Sequence, residues 1–217
     1  MGTCYLCSRN AEVMIKAIVF DIGGVLIDLD IERCLKAFRE DAGFKRIGEC
    51  LDPCHQRGVI GNLESGAVTE DEFITSVLEE CPEGTTPDTI RKCFCALLNS
   101  VSPEKVEYIN ELKDHYDLYL LSNNNPITMR YTEEEFARVG IPFSIFKDKF
   151  ISCDLKLLKP SPEIFQEVIR RIGLPAEEIL FVDDSMRNVE GAESQGINGL
   201  YYDLKGSFRD TVSAALK

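Results

Sequence analysis

The chain has 217 residues, of which 44% are hydrophobic and 28% are charged, and its 24 basic and 37 acidic residues give a net charge of −13. This length and composition are typical of one globular domain, with or without an insertion, and the apolar runs are far shorter than the roughly 20 residues of a membrane-spanning helix. The acidic excess argues against nucleic acid or an anionic membrane as a partner, so an anionic ligand would need a local site of opposite sign.

The N-terminal segment, residues 1–14, lacks the apolar stretch of a signal sequence, and we expect it to be a disordered extension. Cys4 and Cys7 form an isolated CxxC pair within it, without a second pair at zinc-binding spacing. The other cysteines are typical of reduced, small apolar side chains, and an odd total of nine does not suggest a secreted disulfide framework. We therefore expect a cytoplasmic protein.

Four short apolar segments predict strands that are buried on both faces. They are residues 15–20 (IKAIVF), 117–122 (DLYLLS), 178–183 (EILFVD) and 197–202 (INGLYY), and residues 150–151 are a candidate for a further short strand. Amphipathic segments of helical period, at about 162–172 and 185–195, alternate with the later strands. This alternation predicts an α/β fold with a doubly wound parallel sheet.

The first connection of this pattern is too long for an ordinary unit. Roughly 100 residues separate Asp21 from Ser122, whereas a βαβ unit needs about 30. Segments of helical character fill the gap at 31–41, 70–80 and 87–99, and a further helix at 102–114 returns to the sheet. We expect a core domain of residues 15–28 and 101–217, and a small helical-bundle cap domain of residues 29–100 inserted into it.

The first candidate for chemistry is Asp21, which directly follows the first strand and precedes Gly23 and Gly24. In open α/β sheets the ligand crevice lies beyond the carboxyl ends of the strands, and glycines let the backbone approach a ligand closely. Asp21 alone is equally consistent with an ordinary turn.

Polar residues at the ends of the other strands change that balance. Ser122 and Asn123 end the second strand with groups able to bond an anion, and Asp183 and Asp184 end a later one. Adjacent carboxylates repel each other unless a cation intervenes, and oxygen ligands of this type suit magnesium. Lys159 offers a compact positive charge in the loop that leads to that strand. Their shared topological position predicts one site for a metal and an anion.

Four segments together resemble the ordered motifs of the haloacid dehalogenase-like hydrolase superfamily. They are FDIGGVL (20–26), LLSNN (120–124), LKPSPEIF (158–165) and VDDSMRNVEGAESQGI (182–197). The nearest likeness is to the sugar-phosphate phosphatase branch, including the α-glucose-1-phosphate phosphatase type, whose first motif also has the form Asp-x-Gly. The resemblance spans residues 16–203 and implies a Rossmann-like core with a helical cap.

This resemblance implies a phosphatase that uses Mg²⁺ and hydrolyses a small phosphorylated metabolite such as a sugar phosphate. Asp21 would attack phosphorus and form an aspartyl-phosphate. The implied metal ligands are Asp21, the backbone carbonyl of Gly23 and Asp184. Asp183 would be either a further metal ligand or a partner of one of these ligands. The implied phosphate-binding residues are Ser122, Asn123, Gly24 and Lys159, of which Ser122 and Lys159 also serve catalysis, with Asn188 supporting the metal site. Lys156 is a second candidate for the lysine.

One position departs from the family pattern. Most phosphatases of this superfamily carry a second Asp two positions after the nucleophile as general acid and base, and here that position is Gly23. Three explanations stay open: the leaving group needs little protonation, a residue of the cap supplies the proton, or the site only binds phosphate and the protein is an interaction module. The candidate cap residues are Asp52, His55 and Glu64.

A 2-haloacid dehalogenase is a further alternative, since that chemistry also uses an Asp nucleophile. It needs no metal and usually has an aromatic residue near the nucleophile, whereas this chain has Gly23–Gly24 and keeps Asp183–Asp184. Arg57 could contact a substrate from the cap, and His115 is expected to be a surface residue. The acidic run 132–135 is expected to begin a solvated helix. The sequence leaves the oligomeric state open.

Overall fold

A central sheet of five parallel strands organises the computed structural model, which describes residues 14–51 and 58–216. The strands are β1 (Ala17–Phe20), β2 (Asp117–Ser122), β3 (Lys149–Ile151), β4 (Ile179–Asp183) and β5 (Asn198–Tyr201), in the spatial order β3-β2-β1-β4-β5. The doubly wound α/β fold predicted from the sequence is confirmed, including the short strand near residue 150.

Eleven α-helices lie in the described residues. They are α1 (Ile31–Glu40), α2 (Ile47–Cys50), α3 (Gly58–Glu64), α4 (Glu70–Leu78), α5 (Pro87–Cys95), α6 (Pro103–Leu112), α7 (Pro126–Val139), α8 (Ser152–Leu155), α9 (Pro162–Ile172), α10 (Met186–Glu193) and α11 (Phe208–Ala215). The six helices anticipated at 31–41, 70–80, 87–99, 102–114, 162–172 and 185–195 correspond to α1, α4, α5, α6, α9 and α10.

The central strand β1 explains why the strand ends meet. All four of its residues are fully buried, and it pairs in parallel with β2 on one side and β4 on the other. In this register Phe20 lies beside Leu120 and Val182, and the amide of Asp21 continues the ladder to the Val182 carbonyl at 2.9 Å. The polar residues after these strands are thereby brought to one edge.

Each face of the sheet has its own apolar layer because side chains alternate along a strand. Ile18 and Phe20 point into a layer covered by α6 and α11, whereas Ala17 and Val19 point into one covered by α9. Helices on both faces complete the doubly wound arrangement.

Helices α1–α5 surround a third apolar cluster, with Phe38, Phe73 and Phe94 at its centre. The chain enters this region through Leu29 and leaves it through Leu98, which form an antiparallel bridge. Ile127 of α7, which lies outside residues 29–100, packs into the same cluster. The expected division into a cap of residues 29–100 and a core domain stays a prediction.

The start of α7 differs from the expectation. The helix begins at Pro126, where the Asn125 side chain accepts hydrogen bonds from the amides of Ile127 and Thr128. The run 132–135 therefore lies in mid-helix, and Thr132 and Glu135 are only 0% and 6% exposed. The predicted helix start at this run is wrong, because Pro126 and the Asn125 cap already start the helix, whereas Glu133 and Glu134 are exposed as expected.

Some expectations fall on parts of the chain that the structure does not describe. Cys4, Cys7 and most of the 1–14 extension are among them, as are Asp52, His55 and Arg57. In the described segments, six cysteines are free thiols. No helix in those same segments is long and apolar enough to cross a bilayer.

Candidate active site

A cavity of about 820 Å³ opens at the carboxyl ends of β1, β2 and β4, beneath the helices that surround the third apolar cluster. Its lining includes eight residues that the sequence singles out: Asp21, Gly23, Glu64, Ser122, Asn123, Lys159, Asp184 and Asn188. Gly24 adjoins Asp184, and Asp183 pairs with Lys159, so the sequence motifs converge on one cavity.

Lys159 is the electrostatic centre of this cavity. Its Nζ lies 2.9 Å from Asp21 Oδ1 and 2.7 Å from Asp183 Oδ2, and it donates to the Leu121 carbonyl at 3.1 Å. Its side chain is 2% exposed, and a buried charge requires such partners. Burial disfavours the ammonium, but the carboxylates of Asp183 and Asp21 outweigh that effect and raise the pKa of Lys159.

Asp21 experiences opposing influences. Burial raises its pKa to about 7; Lys159 acts in the opposite direction, and the charges of Asp183 and Asp184 add to the increase. The Oδ1 atom accepts from the Ile22 amide at 2.7 Å and pairs with Lys159. These contacts orient the side chain and engage only one of its two oxygens.

Asp183 is completely buried, and both of its oxygens have partners. Oδ1 accepts from the Ser185 amide at 2.8 Å and from Asn188 Nδ2 at 3.0 Å, while Oδ2 receives Lys159 and lies 3.2 Å from the same Asn188 nitrogen. Asp183 thus holds Lys159, and Asn188 holds Asp183.

Asn123 contacts the loop of Lys159 through both ends of its amide. Its Oδ1 accepts from the Lys159 amide at 2.8 Å, and its Nδ2 donates to the Lys159 carbonyl at 3.0 Å. The sequence assigns Asn123 to phosphate binding, but in this arrangement its side chain positions Lys159. Lys156, the second candidate for the lysine, is not among the described lining residues.

The oxygen ligands available to a metal come from Asp21, Asp183 and Asp184, whose carboxylate atoms lie within 4.8 Å of one another. Burial and then the Asp183 charge raise the pKa of Asp184, as expected for carboxyl groups that lie close together. A set of hard oxygen donors fits Mg²⁺.

Two glycines shape the space around these acids. At Gly24, where φ is +79°, a Cβ would lie 2.3 Å from Asp184 Oδ2, so only glycine lets this carboxylate approach. The Gly24 amide donates to the Ile27 carbonyl at 2.8 Å. At Gly23, a Cβ would lie 3.3 Å from Leu29 Cδ1. An apolar side chain therefore borders the position of the missing second carboxylate.

Glu64 enters the cavity from the end of α3. Burial raises its pKa to about 8, the charge of Asp21 adds to the effect, and Lys159 opposes it. Its main-chain carbonyl accepts from Ser152 Oγ at 2.6 Å, which attaches α3 to the sheet domain. Among the candidate cap residues, Glu64 is the one that lies in the described part of the chain.

A polar wall near β2 was not anticipated. Asn124 Oδ1 accepts from the Asn125 amide at 2.8 Å and from Thr128 Oγ1, and all three residues line the cavity. The run of Asn residues before Pro126 is the signal that could have indicated a capped helix start at the site. His115, in contrast, follows α6 at the amino end of β2, on the other edge of the sheet.

Comparison with known proteins gives consistent matches. A model of the haloacid dehalogenase-like hydrolase family matches residues 15–196. A D-ribitol-5-phosphate phosphatase of Bacteroides thetaiotaomicron is 33% identical over 205 residues, which cover 94% of this chain and 99% of that protein.

Solved structures agree in fold. A HAD-like family hydrolase from Porphyromonas gingivalis has a TM-score of 0.85 at 34% identity, covering 94% of this chain and 98% of that one. A HAD family enzyme from Bacteroides thetaiotaomicron, in complex with magnesium and inorganic phosphate, has a TM-score of 0.81 at 30% identity, covering 88% and 96%.

Proposed function

The chain belongs to the haloacid dehalogenase-like hydrolases, and within this family we propose that it is a magnesium-dependent phosphatase of a small sugar phosphate or sugar-alcohol phosphate. The observation that carries the proposal is the cluster of Asp21, Asp184 and Lys159 at one end of a single cavity. The similarity to a D-ribitol-5-phosphate phosphatase over nearly the whole chain supports the substrate class.

Asp21 is the nucleophile in this proposal. Its Oδ1 is engaged by Lys159 and by the Ile22 amide, which leaves Oδ2 to attack phosphorus and form an aspartyl-phosphate. Water then hydrolyses this intermediate and releases phosphate. The attack requires the ionised carboxylate, and a divalent cation held nearby would lower the pKa of Asp21 from its raised value of about 7.

Magnesium would be held by Asp21, Asp184 and the backbone carbonyl of Gly23, and it would supply positive charge to the phosphoryl oxygens. Asp183 already has partners on both oxygens, so we assign it to holding Lys159. Asn188 keeps Asp183 in place.

The phosphoryl group would lie against Ser122 and Lys159, which both line the cavity. Phosphoryl transfer depends on positioning and on stabilising negative charge. The buried Lys159 ammonium, paired with Asp183 while Asn123 fixes the main chain of the same residue, would provide both. The metal and Lys159 also explain how a chain of net charge −13 can attract an anion. Gly24 contributes by leaving room for Asp184.

The test is phosphate release from a panel that includes D-ribitol 5-phosphate and α-D-glucose 1-phosphate, with Mg²⁺ and with EDTA. Turnover is expected only with Mg²⁺, and Asp21→Asn should lower it at least about a thousandfold. Asp117→Asn is the matched control, because Asp117 begins β2 at the other end of the sheet and pairs with Lys147 at 2.7 Å. Its activity should stay within about twofold of wild type.

Three results would contradict the proposal. Turnover that persists in EDTA excludes the metal role, and turnover that persists in Asp21→Asn excludes this nucleophile. Halide release from a 2-haloacid without phosphatase activity would show a dehalogenase instead.

A further inference from the structure

We propose that Glu64 is the general acid and base of this enzyme, donating a proton to the leaving oxygen of the phosphate ester. The inference rests on the proposed phosphatase function and adds a catalytic residue to it. It accounts for the absence of a carboxylate two positions after the nucleophile, where the chain has Gly23.

Among the described residues, the nearest side chain to Gly23 offers no replacement for the missing carboxylate. A Cβ at this position would meet Leu29 Cδ1 at 3.3 Å, so the side chain that borders it is apolar. Lys159 donates to Asp21, Asp183 and the Leu121 carbonyl, and its ammonium is assigned to the phosphoryl group rather than to the leaving oxygen. A side chain that protonates the leaving group would therefore come from another element.

Three carboxyl groups belong to the described residues that line the cavity: Asp21, Asp184 and Glu64. Asp21 is the proposed nucleophile, and Asp184 is a proposed metal ligand. Glu64 alone has no other assignment, and it comes from α3 rather than from a strand end. In an in-line displacement the leaving oxygen points away from the attacking one, so a carboxyl group on another element can serve it.

The α3 segment is fixed on the sheet domain at this point. The Glu64 carbonyl accepts from Ser152 Oγ at 2.6 Å, and the same hydroxyl accepts from the Asn124 amide at 3.0 Å. Gly66 lies so close to Cys153 that a Cβ there would be 2.2 Å from the Cys153 carbonyl oxygen. These contacts involve the main chain and leave the Glu64 carboxyl available to a substrate.

The environment of Glu64 also favours its protonated form. Burial and the charge of Asp21 raise its pKa to about 8 against the opposing effect of Lys159. Burial, the largest of these contributions, does not depend on the charge of the metal site and favours the protonated carboxyl that general acid catalysis uses.

The proton balance of the reaction is simple. As Asp21 Oδ2 bonds to phosphorus, the ester P–O bond breaks, the Glu64 proton moves to the leaving oxygen, and the product departs as a neutral alcohol. Glu64 is then a carboxylate. When water attacks the aspartyl-phosphate, Glu64 takes a proton from it, the bond between Asp21 and phosphorus breaks, and phosphate is released with both side chains restored.

The test compares wild type with Glu64→Gln on a series of ring-substituted phenyl phosphates. The series runs from phenyl phosphate, whose leaving phenol has a pKa of about 10 as in tyrosine, to 4-nitrophenyl phosphate, which needs far less protonation. The measured quantity is kcat/KM, because it reports the first chemical step. We expect Glu64→Gln to lower it about a hundredfold for phenyl phosphate and only a few-fold for 4-nitrophenyl phosphate.

Two further variants complete the design. Glu64→Asp retains a carboxylic acid and should recover part of the phenyl phosphate activity. Tyr201→Phe removes the hydroxyl of a half-exposed tyrosine that also lines the cavity, and it should leave the dependence on the leaving group unchanged.

The outcomes distinguish a failure of the Glu64 role from a failure of the proposed phosphatase function. A loss in Glu64→Gln that is equal across the series, or no loss, overturns the role of Glu64, since a packing or substrate-binding role does not follow leaving-group acidity. A graded loss in Tyr201→Phe moves the role to that residue. Wild type that releases no phosphate from any ester refutes the proposed function itself, and the inference with it.

Discussion

Replacement of Asp21 by Asn should stabilise the metal-free protein at alkaline pH, although it removes the proposed nucleophile. Asp21 is 8% exposed, and its carboxylate oxygens lie near those of Asp183 and Asp184. Burial and these two charges raise its pKa from 3.8 to about 7, even though the Lys159 ammonium lies at 2.9 Å. Ionisation of Asp21 in the folded protein is therefore unfavourable and lowers the free energy of unfolding.

The size of the effect follows from these two pKa values. An acid that binds its proton more tightly in the folded chain than in the unfolded chain lowers stability as the pH rises from about 4 to about 7, and its contribution is constant above that range. The values differ by about 3, and each pH unit corresponds to about 1.4 kcal/mol, so ionised Asp21 costs the fold about 4 kcal/mol at pH 8. The attraction of Lys159 is already contained in this difference.

The assay is urea unfolding in EDTA at several pH values for wild type, Asp21→Asn and the control Asp117→Asn. At pH 8 the free energy of unfolding of Asp21→Asn should exceed that of wild type by about 4 kcal/mol, and below pH 4 the two should converge. Asp117→Asn should follow wild type. If Asp21→Asn is less stable than wild type at pH 8, the ion pair with Lys159 outweighs burial and carboxylate repulsion, and the reasoning fails.

Three further predictions concern the metal and the lysine. Mg²⁺ should raise the midpoint of thermal unfolding of wild type but not of Asp184→Asn, as seen by calorimetry, and an equal shift in both would exclude Asp184 as a ligand. Gly24→Ala should lower the free energy of unfolding by about 1–3 kcal/mol, because the added Cβ would lie 2.3 Å from Asp184 Oδ2. The displaced carboxylate should weaken Mg²⁺ binding about tenfold in titration calorimetry, and an unchanged affinity for Mg²⁺ would contradict this. Asn123→Ala should lower kcat about tenfold with little change in KM, since it releases the loop of Lys159, whereas a change in KM alone would indicate that Asn123 binds substrate directly.

The fold and the strand-end residues of the site could be predicted because their signals are local. Continuous apolar runs bounded by turns mark buried parallel strands, and parallel strands place their carboxyl ends at one edge. Asp21, Ser122 and Asp183 each follow or end such a run, so their proximity followed from the strand assignments. The same logic failed for residues 132–135, where charge alone suggested a solvated helix start.

The tasks of individual side chains were decided by contacts between distant parts of the chain. Asn123 bonds to the loop of Lys159, 36 residues away, so an amide that could have faced phosphate holds the lysine instead. Asp183 has both oxygens engaged, which distinguishes it from its neighbour Asp184 although the two acids are adjacent in sequence.

The helical insertion shows most clearly that the sequence does not decide the role of an individual side chain. The sequence names Glu64 only as one of three candidates, with Asp52 and His55. Its place in the lining of the cavity depends on the packing of α3 against Ser152, 88 residues away. Sequence periodicity by itself determined which elements form and which residues stand at strand ends. Tertiary structure alone determined which polar atoms are already satisfied and which remain free for substrate, because hydrogen bonding and desolvation depend on neighbours that are remote along the chain.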